Sequence, residues 1–142
     1  MTAERPELLF LCIHNAGRSQ MAAAFARSIG GDRIAVHSAG SEPGVSLHPT
    51  VVEAMQEVGL DISGESPRGL TTEMGIRADV VVTMGCGDAC PVYPGKRYED
   101  WDLDDPAGRG IDAVRLIRDT IEQQVRRLLA ELLDERRENP GF

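Results

Sequence analysis

No apolar stretch in this chain approaches the roughly 20 residues that a membrane-spanning helix requires, and no basic-then-apolar leader opens it. A cytoplasmic protein with no membrane contact is therefore expected. Cysteine is scarce, with three in 142 residues. An odd count suits a reducing compartment, where thiols do chemistry rather than staple a fold. Positive charge is outnumbered: 15 Lys and Arg against 23 Asp and Glu leave a net charge of −8, which argues against nucleic acid or an anionic membrane as partner. Internal repeats, low-complexity tracts and linkers are lacking too. What is present is 42% hydrophobic and 27% charged, as in ordinary globular proteins. The length accommodates a single domain, 1–142, with a core of its own. With no long apolar patch evident, a monomer is expected.

Apolar strand-like runs alternate with helical patterns, the signature of a parallel sheet with helices on its faces. Glu7 to Cys12 reads as the first strand and Arg18 to about Ile29 as a helix stopped by Gly30-Gly31. Ile34 to Ser38, ending in Ala39-Gly40, makes a second strand. His48-Pro49 opens a second helix carrying Val51, Val52, Met55 and Val58. A short helix is expected after Thr71, a β-branched strand over Asp79–Met84, and a fourth strand around Arg97-Tyr98. Ile111, Val114, Ile117, Ile121, Val125, Leu128 and Leu132 then recur at helical spacing, with Arg and Glu between them. The tail from Arg136 onward has no apolar pattern and is expected to fray.

Ligands of such sheets bind beyond the carboxyl ends of the strands. Cys12 stands there, at the head of Cys12-Ile13-His14-Asn15-Ala16-Gly17-Arg18-Ser19, between a strand and a helix. A loop in that position turns backbone N–H groups toward one point, and the helix dipole favours an anion there. Arg18 adds a planar charged fork matched to two oxygens of a tetrahedral oxyanion. The same field favours the thiolate form of Cys12, which is the nucleophile. Asn15 and Gly17 supply residue types that tolerate unusual backbone angles. In so Arg-rich a chain the bare Cys–Arg spacing arises readily by chance, so the strand-before, helix-after context carries the reading. Ile13 to Ser19 is thus the candidate oxyanion-binding segment. His14 could tune it or face solvent.

Cys86 and Cys90 lie four positions apart on the glycine-bearing segment Met84-Gly85-Cys86-Gly87-Asp88-Ala89-Cys90-Pro91. A zinc half-site, incidental turn cysteines and a redox pair all fit the spacing. The partners for zinc are scattered, and the flexible loop suits thiol–disulfide exchange, which needs sulfur-bearing residues brought within about 7 Å at Cα. Trp101-Asp102-Leu103-Asp104-Asp105-Pro106 offers carboxylates, and thiolate attack on an oxyanion requires a proton for the departing oxygen. Asp105 is preferred over Asp104 and Asp102, although Asp-Pro also serves turns and helix starts. Trp101 reads as a packing residue.

Taken together, Cys12 to Ala22, His37-Ser38-Ala39-Gly40, Val82-Thr83-Met84-Gly85-Cys86 with Cys90-Pro91, and Asp105-Pro106 resemble thioredoxin-coupled arsenate reductases of the low-molecular-weight tyrosine phosphatase superfamily. The resemblance spans nearly the whole chain. It implies a three-layer α/β sandwich of the phosphotyrosine phosphatase I-like type, whose four-stranded parallel sheet has the order 2-1-3-4. It implies that Cys12 attacks arsenate held by the loop amides and Arg18, that Asp105 protonates the leaving oxygen, that Ser19 hydrogen-bonds the thiolate and that Asn15 holds the loop. Cys86 would then release arsenite by forming a Cys12–Cys86 disulfide, and Cys90 would resolve it to a Cys86–Cys90 disulfide. Thioredoxin or a low-molecular-weight thiol would reduce that disulfide, with no metal or other cofactor on the chain. Gly17 departs from relatives with a second loop cysteine, and Ala23 from those with a potassium-binding glutamate. Ala107 departs from phosphatases with a tyrosine after Asp-Pro, which weakens the rival reading as an aryl phosphatase using Cys12, Arg18 and Asp105. A non-catalytic oxyanion or redox sensor is the third reading.

Overall fold

The computed structural model describes residues 5–85 and 92–138, with side chains through 133. The expectations for Cys86, Cys90 and Pro91 therefore lie outside the described residues. The elements follow in the order β1 (Glu7–Cys12), α1 (Arg18–Gly30), a 3-10 turn (Gly31–Arg33), β2 (Ala35–Gly40), α2 (Pro49–Glu57), α3 (Thr72–Arg77), β3 (Val80–Thr83), β4 (Arg97–Asp100) and α4 (Ile111–Glu138). The four strands form one parallel sheet in the order β2-β1-β3-β4, as the resemblance implies. No helix among the described residues is long and apolar enough to cross a membrane.

β1 sits in the middle because it is apolar on both faces, as an interior parallel strand must be. Leu8, Phe10 and Cys12 point into the larger core with Val80 and Val82, under α1, α2 and α4. Leu9 and Leu11 face the other way and meet Ala39, Ala78 and Val81, with Leu70 and Met74 of the α3 side over them. Alternation at period two thus divides one strand between two cores. The register sets Cys12 opposite Gly40 of β2 and Leu11 opposite Thr83 of β3, so both flanking strands end beside the thiol.

α4 buries Val114, Ile117, Ile121, Val125, Leu128 and Leu132, the spacing legible in the sequence, plus Leu129. The helix extends through Glu138, over a stretch of Glu and Arg, which are good helix formers. Arg118, which falls among the polar positions of the pattern, is buried. Its Nη1 donates to Ala54 O at 2.9 Å and to Glu57 Oε1 at 2.8 Å, binding α4 to the last turn of α2. Arg115 closes on the same carboxylate, its Nη2 at 2.6 Å from Glu57 Oε2. These hydrogen bonds, Arg115's above all, hold the Glu57 carboxyl down at about 2.

A matching cluster joins β4 to α4. Arg127 donates to Glu99 Oε1 at 2.6 Å, and Trp101 Nε1 donates to the same oxygen at 2.8 Å. Arg97 bridges Glu99 and Glu131. The Arg127 bond leads in lowering Glu99 to about 2. Trp101 is the packing residue expected, buried with its ring centroid 5.9 Å from that of Phe10.

Candidate active site

Every carbonyl from Cys12 to Gly17 is engaged by a donor outside the loop's own hollow. Cys12 O, Ile13 O and His14 O accept from Ser41 N, Glu42 N and Gly44 N at 2.8–3.1 Å. Ala16 O accepts from His48 N at 3.1 Å and Gly17 O from Met21 N at 3.0 Å, while Asn15 O accepts from Gln20 Nε2 at 3.2 Å. In a trans peptide the N–H points opposite the preceding C=O. Drawing the carbonyls outward therefore turns the amides of residues 13–18 inward, toward the thiol. The segment after β2 builds the site from behind by hydrogen-bonding its outer edge. No side chain caps α1 among the described residues and no acidic residue occupies its first turn, so the helix's N-terminal amides and dipole face the same hollow.

Gly40 makes this arrangement possible. A Cβ there would lie 2.5 Å from Ile13 O and 2.9 Å from Asn15 N. Both neighbours are backbone and cannot swing aside. Gly17 has φ −144° and ψ −89°, outside the ordinary helical and extended regions, which is the unusual backbone angle expected of it. Space is short there as well, since a Cβ would stand 2.8 Å from Pro106 Cγ. Asn15 alone among non-glycine residues described has positive φ, 52°, a conformation asparagine tolerates better than most.

The Asn15 conformation is fixed by a buried polar chain. Gln20 Nε2 donates to Asn15 Oδ1 at 3.0 Å, to Asn15 O, and to Ser66 O at 3.2 Å. Arg68 N donates to Asn15 Oδ1 at 2.9 Å. Asn15 Nδ2 donates to Ser19 Oγ at 2.7 Å, and Ser19 Oγ lies 2.8 Å from Cys12 Sγ. With its oxygen already accepting from Asn15, the Ser19 hydroxyl has its proton free to donate to the Cys12 sulfur. Cys12 is 2% exposed and free of any disulfide. The role of Gln20 is not legible in the sequence, where a glutamine in a first helical turn reads as a solvated position.

Arg18 is buried and reaches the acid loop. Its Nη1 donates to Leu103 O at 3.2 Å and its Nη2 lies 3.8 Å from Asp105 Oδ2. On its other side the backbone after β3 presses close. Gly85 has φ 93°, and a Cβ there would meet Arg18 Nη1 at 2.5 Å. Asp105 is half exposed and also accepts from Ala107 N at 3.0 Å, so the turn role and the site role belong to one carboxylate. Asp102 and Asp104 instead line a cleft of about 300 Å³ with Leu103 and Arg109. His14 is exposed on the outer side of the loop, and His48 is the residue preceding α2. Among the described residues no group of three or more metal-ligating side chains comes together.

Cys12, Arg18, Ser19, Asn15 and Asp105 are thus gathered at the carboxyl ends of β1 and β3. A buried thiol, a guanidinium and a carboxylate are brought together beside the loop, an arrangement whose chemistry suits a tetrahedral oxyanion. Comparison with known proteins agrees with that chemistry. The chain is 36% identical over 129 residues to a glutaredoxin arsenate reductase of Synechocystis, covering 89% of this chain and 98% of that one. It is 44% identical over 108 residues to an arsenate reductase of Bacillus subtilis, covering 73% and 76%. Among solved structures it is similar to a thioredoxin-dependent arsenate reductase of Corynebacterium glutamicum, with TM-score 0.80 and 40% identity. That likeness covers 94% of this chain, which spans 64% of the corynebacterial chain's length. An arginine phosphatase of Geobacillus stearothermophilus matches at TM-score 0.82 and 25% identity, covering 94% and 96%. The family model for low molecular weight phosphotyrosine protein phosphatase matches residues 7–138, and the chain belongs to that family.

Proposed function

We propose that this protein reduces arsenate to arsenite, with thiols as the source of electrons. The observation that carries the reading is Cys12 Sγ, 2.8 Å from Ser19 Oγ, at the base of a hollow whose amides and Arg18 suit a tetrahedral oxyanion. The arsenate-reductase names of its relatives support the substrate. The Cys12 thiolate attacks arsenic, and Asp105 in its acid form passes a proton to the departing oxygen, which leaves as water. Cys86 then attacks the sulfur of Cys12. The sulfur–arsenic electron pair returns to arsenic, arsenite departs, and two thiols have become one disulfide. Cys90 resolves it, and a dithiol protein of the thioredoxin type, or a low-molecular-weight thiol, restores the reduced enzyme.

The arginine phosphatase likeness favours one second reading, hydrolysis of a phosphate monoester or its analogue by Cys12, Arg18 and Asp105 alone. The separating experiment is arsenate-dependent NADPH oxidation with thioredoxin and thioredoxin reductase. Sustained turnover in the wild type, lost in Cys86→Ser and Cys90→Ser, is expected. Hydrolysis of an aryl phosphate with no arsenate turnover in any of the three would move the protein to the phosphatases.

A further inference from the structure

We propose that Gly17 is a positioning residue for the acid: the missing Cβ is the seat on which Pro106 rests, and that seat sets the place of Asp105. The inference rests on the reading of Asp105 as proton donor, which reductase and phosphatase chemistry share. A Cβ on Gly17 would lie 2.8 Å from Pro106 Cγ, 3.4 Å from His48 Cδ2 and 3.6 Å from Val51 Cγ2. Only Pro106 Cγ stands too close; the other two distances are ordinary contacts that leave the Cβ no room to back away, so the Pro106 side must yield. His48 and Val51 belong to the packed start of α2, where Val51 is fully buried. Pro106 is buried, but Asp105 before it and Ala107 to Gly110 after it are exposed. The acid loop is the side that moves.

Pro106 transmits that movement directly. Its ring locks φ, so the residue joined to its nitrogen, Asp105, shifts with it. The loop has few other moorings to the anion site: Arg18 Nη1 holds Leu103 O, and Arg18 Nη2 stands 3.8 Å from Asp105 Oδ2. A carboxyl displaced by about an ångström is a poor donor, since misplacement of that size lowers rates by about 10²-fold. The oxyanion cradle is made by other contacts. Its carbonyls are held by residues 41–48, Gln20 and Met21, none of which belongs to the acid loop. Gly17 therefore couples to proton donation more strongly than to anion binding, which it reaches through its own amide and through Arg18.

The test compares Gly17→Ala, Pro106→Ala, the two together, Asp105→Asn, and Gly17→Ala/Asp105→Asn in the full chain. Each is checked for its thermal unfolding midpoint. Two quantities are read: the single-turnover rate at saturating arsenate, followed as arsenate-dependent loss of free thiols, and the inhibition constant for inorganic phosphate. Hydrolysis of an aryl phosphate is followed in parallel. The expected result is that Gly17→Ala slows the rate by about tenfold or more, with a clearly smaller fall in phosphate affinity. Adding Pro106→Ala, which deletes the clashing Cγ, relieves the Gly17→Ala loss and brings the double variant to the rate of Pro106→Ala alone. In the Asp105→Asn background Gly17→Ala adds little, because coupled residues are non-additive. Phosphate affinity falling in step with the rate, a double variant slower than Pro106→Ala alone, or a full additive loss in the Asp105→Asn background would each overturn the proposal. A rate unchanged in Asp105→Asn would overturn the acid assignment and with it this inference. Aryl phosphate hydrolysis that follows the expected pattern without arsenate turnover would uphold the Gly17 coupling while rejecting arsenate reduction.

Discussion

The anion loop and the α2–α4 seam are both held by polar side chains, yet they are built from opposite materials. Around Cys12 the bonds run through short uncharged groups, Asn15, Ser19 and Gln20, each of them at most 1% exposed. At the seam the outer bond is the ion pair of Arg115 with Glu57, which has water at hand, above the buried Arg118. A buried amide or hydroxyl that loses its partner keeps its full desolvation penalty. An exposed ion pair that breaks is largely re-solvated and screened. The chemistry site is thus rigid and intolerant, and the seam adaptable, although both look like dense hydrogen-bond clusters. The difference also separates charge from geometry: the site carries a single buried cation, Arg18, among the residues described, where an incoming anion would meet it.

Substitutions at the two regions sharpen the contrast. The largest effect is expected from Arg18→Lys, which keeps the charge but removes the fork and the Leu103 tie. The rate should fall by about 10²–10³-fold, read as kcat with arsenate, while urea unfolding changes little. Next comes Asn15→Ala, which takes the Oδ1 acceptor away from Arg68 N and Gln20 Nε2 and frees Ser19 Oγ. A loss of about 1–3 kcal/mol in urea unfolding is expected, together with slower alkylation of Cys12 by iodoacetamide at neutral pH. A loss confined to stability would separate the polar chain from thiol reactivity.

The smallest effect belongs to the seam and depends on pH. The Glu57 carboxyl is held at about 2, below its ordinary value of 4.5. Its contribution to stability is therefore present above about pH 4.5 and is lost as the pH falls toward 2. Glu57→Gln should lie a little below wild type in unfolding midpoint at pH 7 and converge with it near pH 2, with activity at pH 7 unchanged. An activity loss at pH 7 would show the seam to be tied to the site after all.

The parts of this molecule legible from its residues are those set by local periodicity and capping. The Leu8–Cys12 strand, the α4 stripe and the helix opening at Pro49 follow from spacing, and the loop after Cys12 follows from where strand meets helix. The sheet order came through family resemblance, since pairing of β1 with β3 is a contact across some seventy residues of chain that periodicity does not report. Three features needed coordinates for the same reason. Gln20 meets Ser66, Gly40 meets Ile13 and Asn15, and Gly17 meets Pro106 only in space. Arg118 lies between apolar positions of the α4 pattern, and spacing alone does not tell a buried arginine from a solvated one. Its burial depends on the α2 carbonyl and carboxylate that happen to face it.

The most direct measurement of the central claim is mass-spectrometric mapping of thiols after one equivalent of arsenate is added to the fully reduced protein without thioredoxin. The account predicts one mole of arsenite per mole of protein, a Cys86–Cys90 disulfide in the wild type, a Cys12–Cys86 disulfide trapped in Cys90→Ser, and no arsenite from Cys12→Ser. Arsenite formed by Cys12→Ser, or a wild type that keeps all three thiols after exposure to arsenate, would contradict it.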